Sequence, residues 1–176
     1  ADETDVPFAL LAADVGFRVG AEQSSATLNV TTDNFEEAFG LFTDMLREPG
    51  LDADKLDLWK TNTVERMKER NDDAGDIIAR EWRALAYGRD HYLGRTTTAD
   101  VIQSLTVEDV RAFHEQIFHP GNLLISVTGD VTPDEILPVL DAALDGWAQR
   151  PLAVDPPAPT ASLEPGLYHV EKDIPQ

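Results

Sequence analysis

The chain has 176 residues, 33 acidic against 14 basic, a formal net charge of −19 and no cysteine. That length suffices for one cored domain, or one domain with a piece of another, and the charge disfavours nucleic acid and anionic membrane while favouring a basic or unfolded polypeptide. Absent thiols exclude disulfides, thiolate metal sites and cysteine nucleophiles, and no run of about 18 apolar residues offers a membrane span.

In chain order, residues 1–5 read as a frayed end without the basic and apolar regions of a signal peptide. Phe8 to Asp14 reads as the last turns of a helix stopped by Gly16. Phe17 to Ala21 and Ala26 to Thr31 have strand character, and a polar turn from Glu22 to Ser25 makes them a hairpin. Asp33 is placed to cap a helix whose Phe35, Ala38, Phe39, Phe42, Met45 and Leu46 recur at helical spacing until Pro49-Gly50.

The stretch from Asp52 to Tyr87 organises the rest. Leu56, Trp59, Thr63, Val64 and Met67 predict a helix with one mostly apolar stripe. At about 100° per residue, Arg66 lies roughly 20° from Trp59 and Glu65 roughly 120° away, so Arg66 is expected to face inward and Glu65 outward. An inward arginine calls for a partner, and a carboxylate is expected. Asn71-Asp72-Asp73 breaks the helix, and a second helix carrying Ile77, Ile78, Trp82, Leu85 and Ala86 runs to Gly88. Gly88 to Arg95 is a loop, and Val101 to Leu105 a short helix or turn.

Thr106 to Asp109 resembles a capping box with Asp for Glu, opening a helix to Phe118 that His119-Pro120-Gly121 stops. Asn122 to Asp130 predicts a strand, apolar enough in its first half to be central in a sheet. Thr132-Pro133-Asp134-Glu135 is a full capping box before a helix with Ile136, Val139, Leu140, Ala143, Leu144 and Trp147 on one face. Pro138 should kink it, at a cost of about 3 kcal/mol unless its first turns absorb the proline. Five prolines between Pro151 and Pro165 make a semi-rigid linker, after which Leu167 to Val170 reads as a strand. The organisation expected is an α+β domain over 1–150, with a mixed or antiparallel sheet packed against several helices, a linker over 151–165, and over 166–176 the first strand of a following domain.

Chemistry-bearing motifs are sparse. His114 and His119 flank Glu115, but a spacing of five turns the rings about 140° apart, against the i, i+4 spacing of a helical zinc pair. They read as a helix-end pair, with His119 near terminal carbonyls. His91 beside Tyr92 is a loop residue that could line a pocket, and His169 a structural strand residue. Ser24-Ser25 has no identifiable base, Asp72-Asp73 reads as a helix terminator and Asp130 as turn chemistry. No phosphate-binding glycine motif occurs. No catalytic, cofactor-binding or metal-ligating residue is assigned.

The phrases NFEEAFGLFTDMLREP (34–49), KLDLWKTNTVERMKERNDD (55–73), LTVEDVRAFHEQIFHPGN (105–122), VTGD (127–130) and GLYHVEKDIP (166–175) resemble, in order, the pitrilysin/insulinase-type zinc metallopeptidases, whose motif is H-x-x-E-H. The resemblance implies a half domain of the processing-peptidase type. It implies that the H-x-x-E-H helix would fall before Ala1 and that the third zinc ligand, a glutamate, corresponds to Arg66, or to Glu65 if the register slips by one. Arginine has no free lone pair for zinc. The implied protein is therefore a non-catalytic half lacking zinc of its own, which helps to form a peptide-binding chamber with a homologous second domain or catalytic subunit. Two alternatives stand beside it: part of an active zinc endopeptidase using Glu65, and a scaffold that binds polypeptide without cleaving it. Bacterial relatives suggest a periplasmic or cytoplasmic location.

Overall fold

A computed structural model describes residues 5–151, 157–159, 161 and 163–171. The chain divides into two compact units, Ala1–Leu51 with Glu108–Ala153, and Asp52–Val107 with Val154–Gln176.

The first unit begins with helix α1 (Asp5–Leu10) and the antiparallel strands β1 (Asp14–Arg18) and β2 (Ser25–Asn29). The expected helix end at Asp14 is corrected to Leu10. Ala12 takes a left-handed φ of 52° and turns the chain out of the helix, which frees Asp14 to start the strand. Gly16 therefore does not stop a helix; it sits inside β1 opposite Thr27. A Cβ there would come 2.8 Å from the Thr27 Oγ1, so the glycine permits this close pairing. The hairpin register runs from Asp14 opposite Asn29 to Arg18 opposite Ser25, a few residues earlier than the alternation suggested.

Helix α2 (Phe35–Arg47) follows a 3-10 turn over Thr32–Asn34. Asp33 lies within that turn rather than capping α2, and the N-cap position falls to Asn34, whose side-chain amide donates to the Leu11 carbonyl at 2.9 Å. Phe39 and Phe42 of α2 pack with Phe8 as the core of this unit, against Val15, Ala26 and Leu28 of the hairpin. The buried Thr43 hydroxyl costs little because it lies 2.9 Å from both the Phe39 and Gly40 carbonyls of its own helix.

Helices α6 (Val107–Ile117) and α7 (Pro133–Leu144) complete the helical part of this unit. Helix α7 carries Val139, Leu140 and Ala143 onto the phenylalanine core, as its spacing predicted, and continues through Pro138. Its capping box is present, with the Thr132 N–H and hydroxyl both 2.8 Å from Glu135 Oε2. The Arg47 guanidinium ties the end of α2 to the turn after α7, donating to the carbonyls of Asp145 at 3.3 Å and Gly146 at 2.8 Å.

The strand expected over 122–130 does not form. The only ladder among the described residues is β1–β2, and Leu124 stands 97% exposed, so the apolar run lacks the neighbouring strand that would satisfy its backbone. Residues 167–171 likewise form no strand. The fold is helix-rich with a small antiparallel sheet, within the α+β class expected.

The second unit holds α3 (Ala53–Glu69), α4 (Ala74–Tyr87) and α5 (Ala99–Ser104), with α5 packed on α3. On α4 the covered face is Ile77 and Ala84, whereas Ile78 and Trp82 are exposed. Gly94 closes the loop after α4: a Cβ would collide with the Gly88 carbonyl oxygen and lie 3.0 Å from that of Arg83.

Candidate functional site

Helix α3 carries the residues on which the functional question turns. It starts because the Asp52 carboxylate caps it, accepting from the N–H groups of Asp54 at 2.8 Å and Lys55 at 3.3 Å. It stops at the Asn71-Asp72 break. Asp73 caps α4 by accepting from the Asp76 N–H at 3.1 Å, and Arg80 clasps the break by donating to Asn71 Oδ1 at 2.7 Å and the Arg70 carbonyl at 3.2 Å. This chain terminator is built from local hydrogen bonds, as the Asn-Asp-Asp composition implied.

The covered side of α3 comprises Leu56, Thr63, Val64 and Met67, all half-buried. Trp59, expected among them, lies at the margin and is 44% exposed. Arg66, about two turns further along the same flank, is also exposed. The expected inward arginine with a carboxylate partner is therefore corrected. Its Nε donates to the Asn62 carbonyl at 3.3 Å and its Nη2 to Thr63 Oγ1 at 3.2 Å, and among the described residues no ion pair includes it. Helical geometry does set Arg66 beside Trp59, but this flank of the helix is not covered. Glu65 faces away, as expected, and pairs with Lys68 at 2.6 Å on an exposed surface.

Arg66 and Trp59 line an open cleft of about 470 Å³ with Lys55, Leu58 and Asn62. The spacing 55, 58, 59, 62, 66 is itself a helical stripe. An apolar-pattern reading misses it because charged, amide and apolar side chains alternate along it.

The histidines are occupied elsewhere. In the second unit His91 is buried; the Leu93 N–H donates to its Nδ1 at 3.2 Å, which makes Nε2 the protonated nitrogen, donating to the Pro157 carbonyl at 2.8 Å. Tyr87 stacks on this ring at 5.5 Å and Tyr92 leans on it at 4.5 Å. The pocket-lining reading gives way to a structural clasp. In the first unit His114 Nε2 bonds the Leu46 carbonyl at 2.8 Å and its ring stacks on Phe118. His119 is 1% exposed; its Nδ1 accepts from the Arg150 N–H at 3.4 Å, while its Nε2 is buried without a partner among the described residues. Arg150 also pairs with Glu115 at 2.9 Å. His169 is exposed in a segment that is not a strand.

Zinc does not fit these residues. Arg66 offers no lone pair, Glu65 is paired on the far face of its helix, and His114 and His119 are engaged by different backbone groups. Among the described residues no group of three or more His, Asp or Glu side chains could hold an ion. The Glu135 carboxyl is held below its ordinary value by the Thr132 backbone N–H and then by its hydroxyl, and it belongs to a helix cap.

Comparison with known proteins finds the following relatives. Residues 104–176 match the family described as the peptidase M16 inactive domain. An uncharacterized zinc protease of Streptomyces coelicolor is 26% identical over 127 residues, covering 70% of this chain and 28% of the relative. One of Mycobacterium leprae is 25% identical over 111 residues, covering 62% and 25%. The chain thus spans about a quarter of the length of these relatives. Among solved structures, a protease from Helicobacter pylori superposes with a TM-score of 0.71 at 16% identity, covering 92% of this chain and 39% of that one. The first half of the periplasmic protease PqqL from Escherichia coli superposes at 0.63 and 18% identity, covering 84% and 32%. The fold is that of M16 protease halves, and residues 104–176 carry the match to the peptidase M16 domain described as inactive.

Proposed function

We propose that this chain is part of the non-catalytic half of a zinc-protease-like protein, where it helps to wall a chamber that holds extended polypeptide. A homologous second half or a separate subunit carries the metal and the H-x-x-E-H motif, and residues 151–165 link the 1–150 domain to a second homologous domain. The observation that carries this reading is the pair on α3. Arg66 stands where the family resemblance puts the third ligand, and Glu65, the alternative, is turned away and paired with Lys68.

The test is to purify the full-length protein and a partner bearing H-x-x-E-H, and to assay peptide cleavage and bound zinc for each alone and for both together. Cleavage by the pair, with zinc stoichiometric to the partner alone, is the expected result. Zinc and cleavage with this protein alone would restore Glu65 as a ligand. Peptide binding without cleavage in any combination would make the protein a scaffold.

A further inference from the structure

The cleft on α3 has a chemical character of its own. Helix α3 sets two bases on this flank, Lys55 and Arg66, within about 20° of each other; Asp54, Asp57 and Glu65 lie roughly 80° or more from either, while the exposed Glu69 lies roughly 40–60° away, one turn beyond Arg66. Two of those acids are near bases of the far faces, Asp57 to Lys60 at 3.3 Å and Glu65 to Lys68 at 2.6 Å. The Arg66 guanidinium spends two N–H groups on its own helix and directs no donor to a carboxylate among the described residues. A guanidinium has five N–H donors in a planar fork that matches a carboxylate. Beside it, Trp59 and Leu58, 44% and 61% exposed, offer an apolar floor, and Asn62 an amide.

In a chain of net charge −19 this local cationic and aromatic stripe runs against the overall field. The overall field draws in basic or unfolded polypeptide, and such a chain presents carboxylates only sparsely. We infer that the Trp59–Arg66 face of α3 binds an acidic side chain of an extended polypeptide, with the neighbouring apolar side chain laid on Trp59 and Leu58, and so sets the register in which the polypeptide is held. This inference rests on the proposed peptide-holding role and adds to it a sequence preference and the residues that impose it. Arg66 supplies the charge, Trp59 the stacking surface.

The experiment measures fluorescence anisotropy of labelled extended peptides on the full-length protein. The peptides are basic and apolar in composition and differ only at one central residue, Glu, Gln or Lys, next to an invariant Phe. The Glu peptide is expected to bind about 5- to 10-fold more tightly than the Gln peptide, as a solvent-accessible charge-assisted contact allows, and the preference is expected to shrink in high salt. R66Q should abolish the preference, and W59A should weaken all three alike. Equal binding of Glu and Gln peptides to the wild-type protein, or a preference that survives R66Q, overturns the inference while peptide holding stands. If no peptide binds, the peptide-holding reading fails and takes the inference with it. Iodide quenching of wild-type against W59F protein without peptide checks the occupant: a Trp59 emission inaccessible to iodide means that another part of the polypeptide fills the cleft, which also overturns it.

Discussion

Replacing His91 with alanine separates a structural from a functional histidine. The ring lies under Tyr87 and Tyr92, accepts from the Leu93 N–H and donates to the Pro157 carbonyl. Truncation leaves both backbone groups short of a partner, at about 1 kcal/mol each for partly buried sites, and removes aromatic contacts worth roughly another 1 kcal/mol. The expected loss is about 3 kcal/mol, or a fall of roughly 6–12 °C in melting temperature for a protein domain of this size. H91Q, whose amide keeps a donor near Pro157, should lose less. Thermal unfolding of the full-length protein followed by circular dichroism, with cleavage by the assembled enzyme measured below the transition, reads both effects. If H91A unfolds within about 0.5 kcal/mol of wild type yet abolishes activity, the clasp argument is wrong and the ring works on substrate.

Three further outcomes are expected. G94A forces a Cβ against the Gly88 and Arg83 carbonyls and should destabilise by about 1–3 kcal/mol in urea titration, because backbone rather than a movable side chain obstructs it. Glu135, whose carboxyl is held below its ordinary value by Thr132, contributes stability that is present above its unfolded pKa and lost as pH falls through the folded one; the difference in urea midpoint between wild type and E135Q should therefore shrink on acidification, and growth of that difference would contradict the cap's electrostatics. E65Q should leave both the zinc content and the cleavage rate of the assembled enzyme unchanged, since Glu65 meets only Lys68; loss of zinc on metal analysis would reinstate it as a ligand.

The local grammar of the chain was legible. Asn71-Asp72-Asp73 ends one helix and the Thr132–Glu135 box starts another, and Phe39, Phe42, Val139 and Leu140 are covered because each helix keeps its apolar residues on one side. The helix ends and hairpin register near Gly16 were not, because an alanine in the left-handed region at residue 12 and a glycine opposite Thr27 are decided by tertiary fit rather than propensity. The role of His91 was also hidden, since its partner lies 66 residues away at Pro157.

The misreadings at Trp59 and Leu124 share one physical cause, and it bears on function. Periodicity states which side of an element is made to be covered; it does not state what covers it. Trp59 and Arg66 share a flank by helical geometry alone, so an exposed Trp59 carries Arg66 into solvent with it. A guanidinium buried as a counter-ion would be locked by its partner and inert toward ligand. Exposed on a cleft and tied only to its own helix, it keeps its remaining donors for a carboxylate arriving from outside. On the reading proposed above, an arginine that cannot ligate zinc can still grip a carboxylate, which is why the R66Q and E65Q outcomes should differ: the first moves peptide preference, the second leaves zinc content and cleavage as they are.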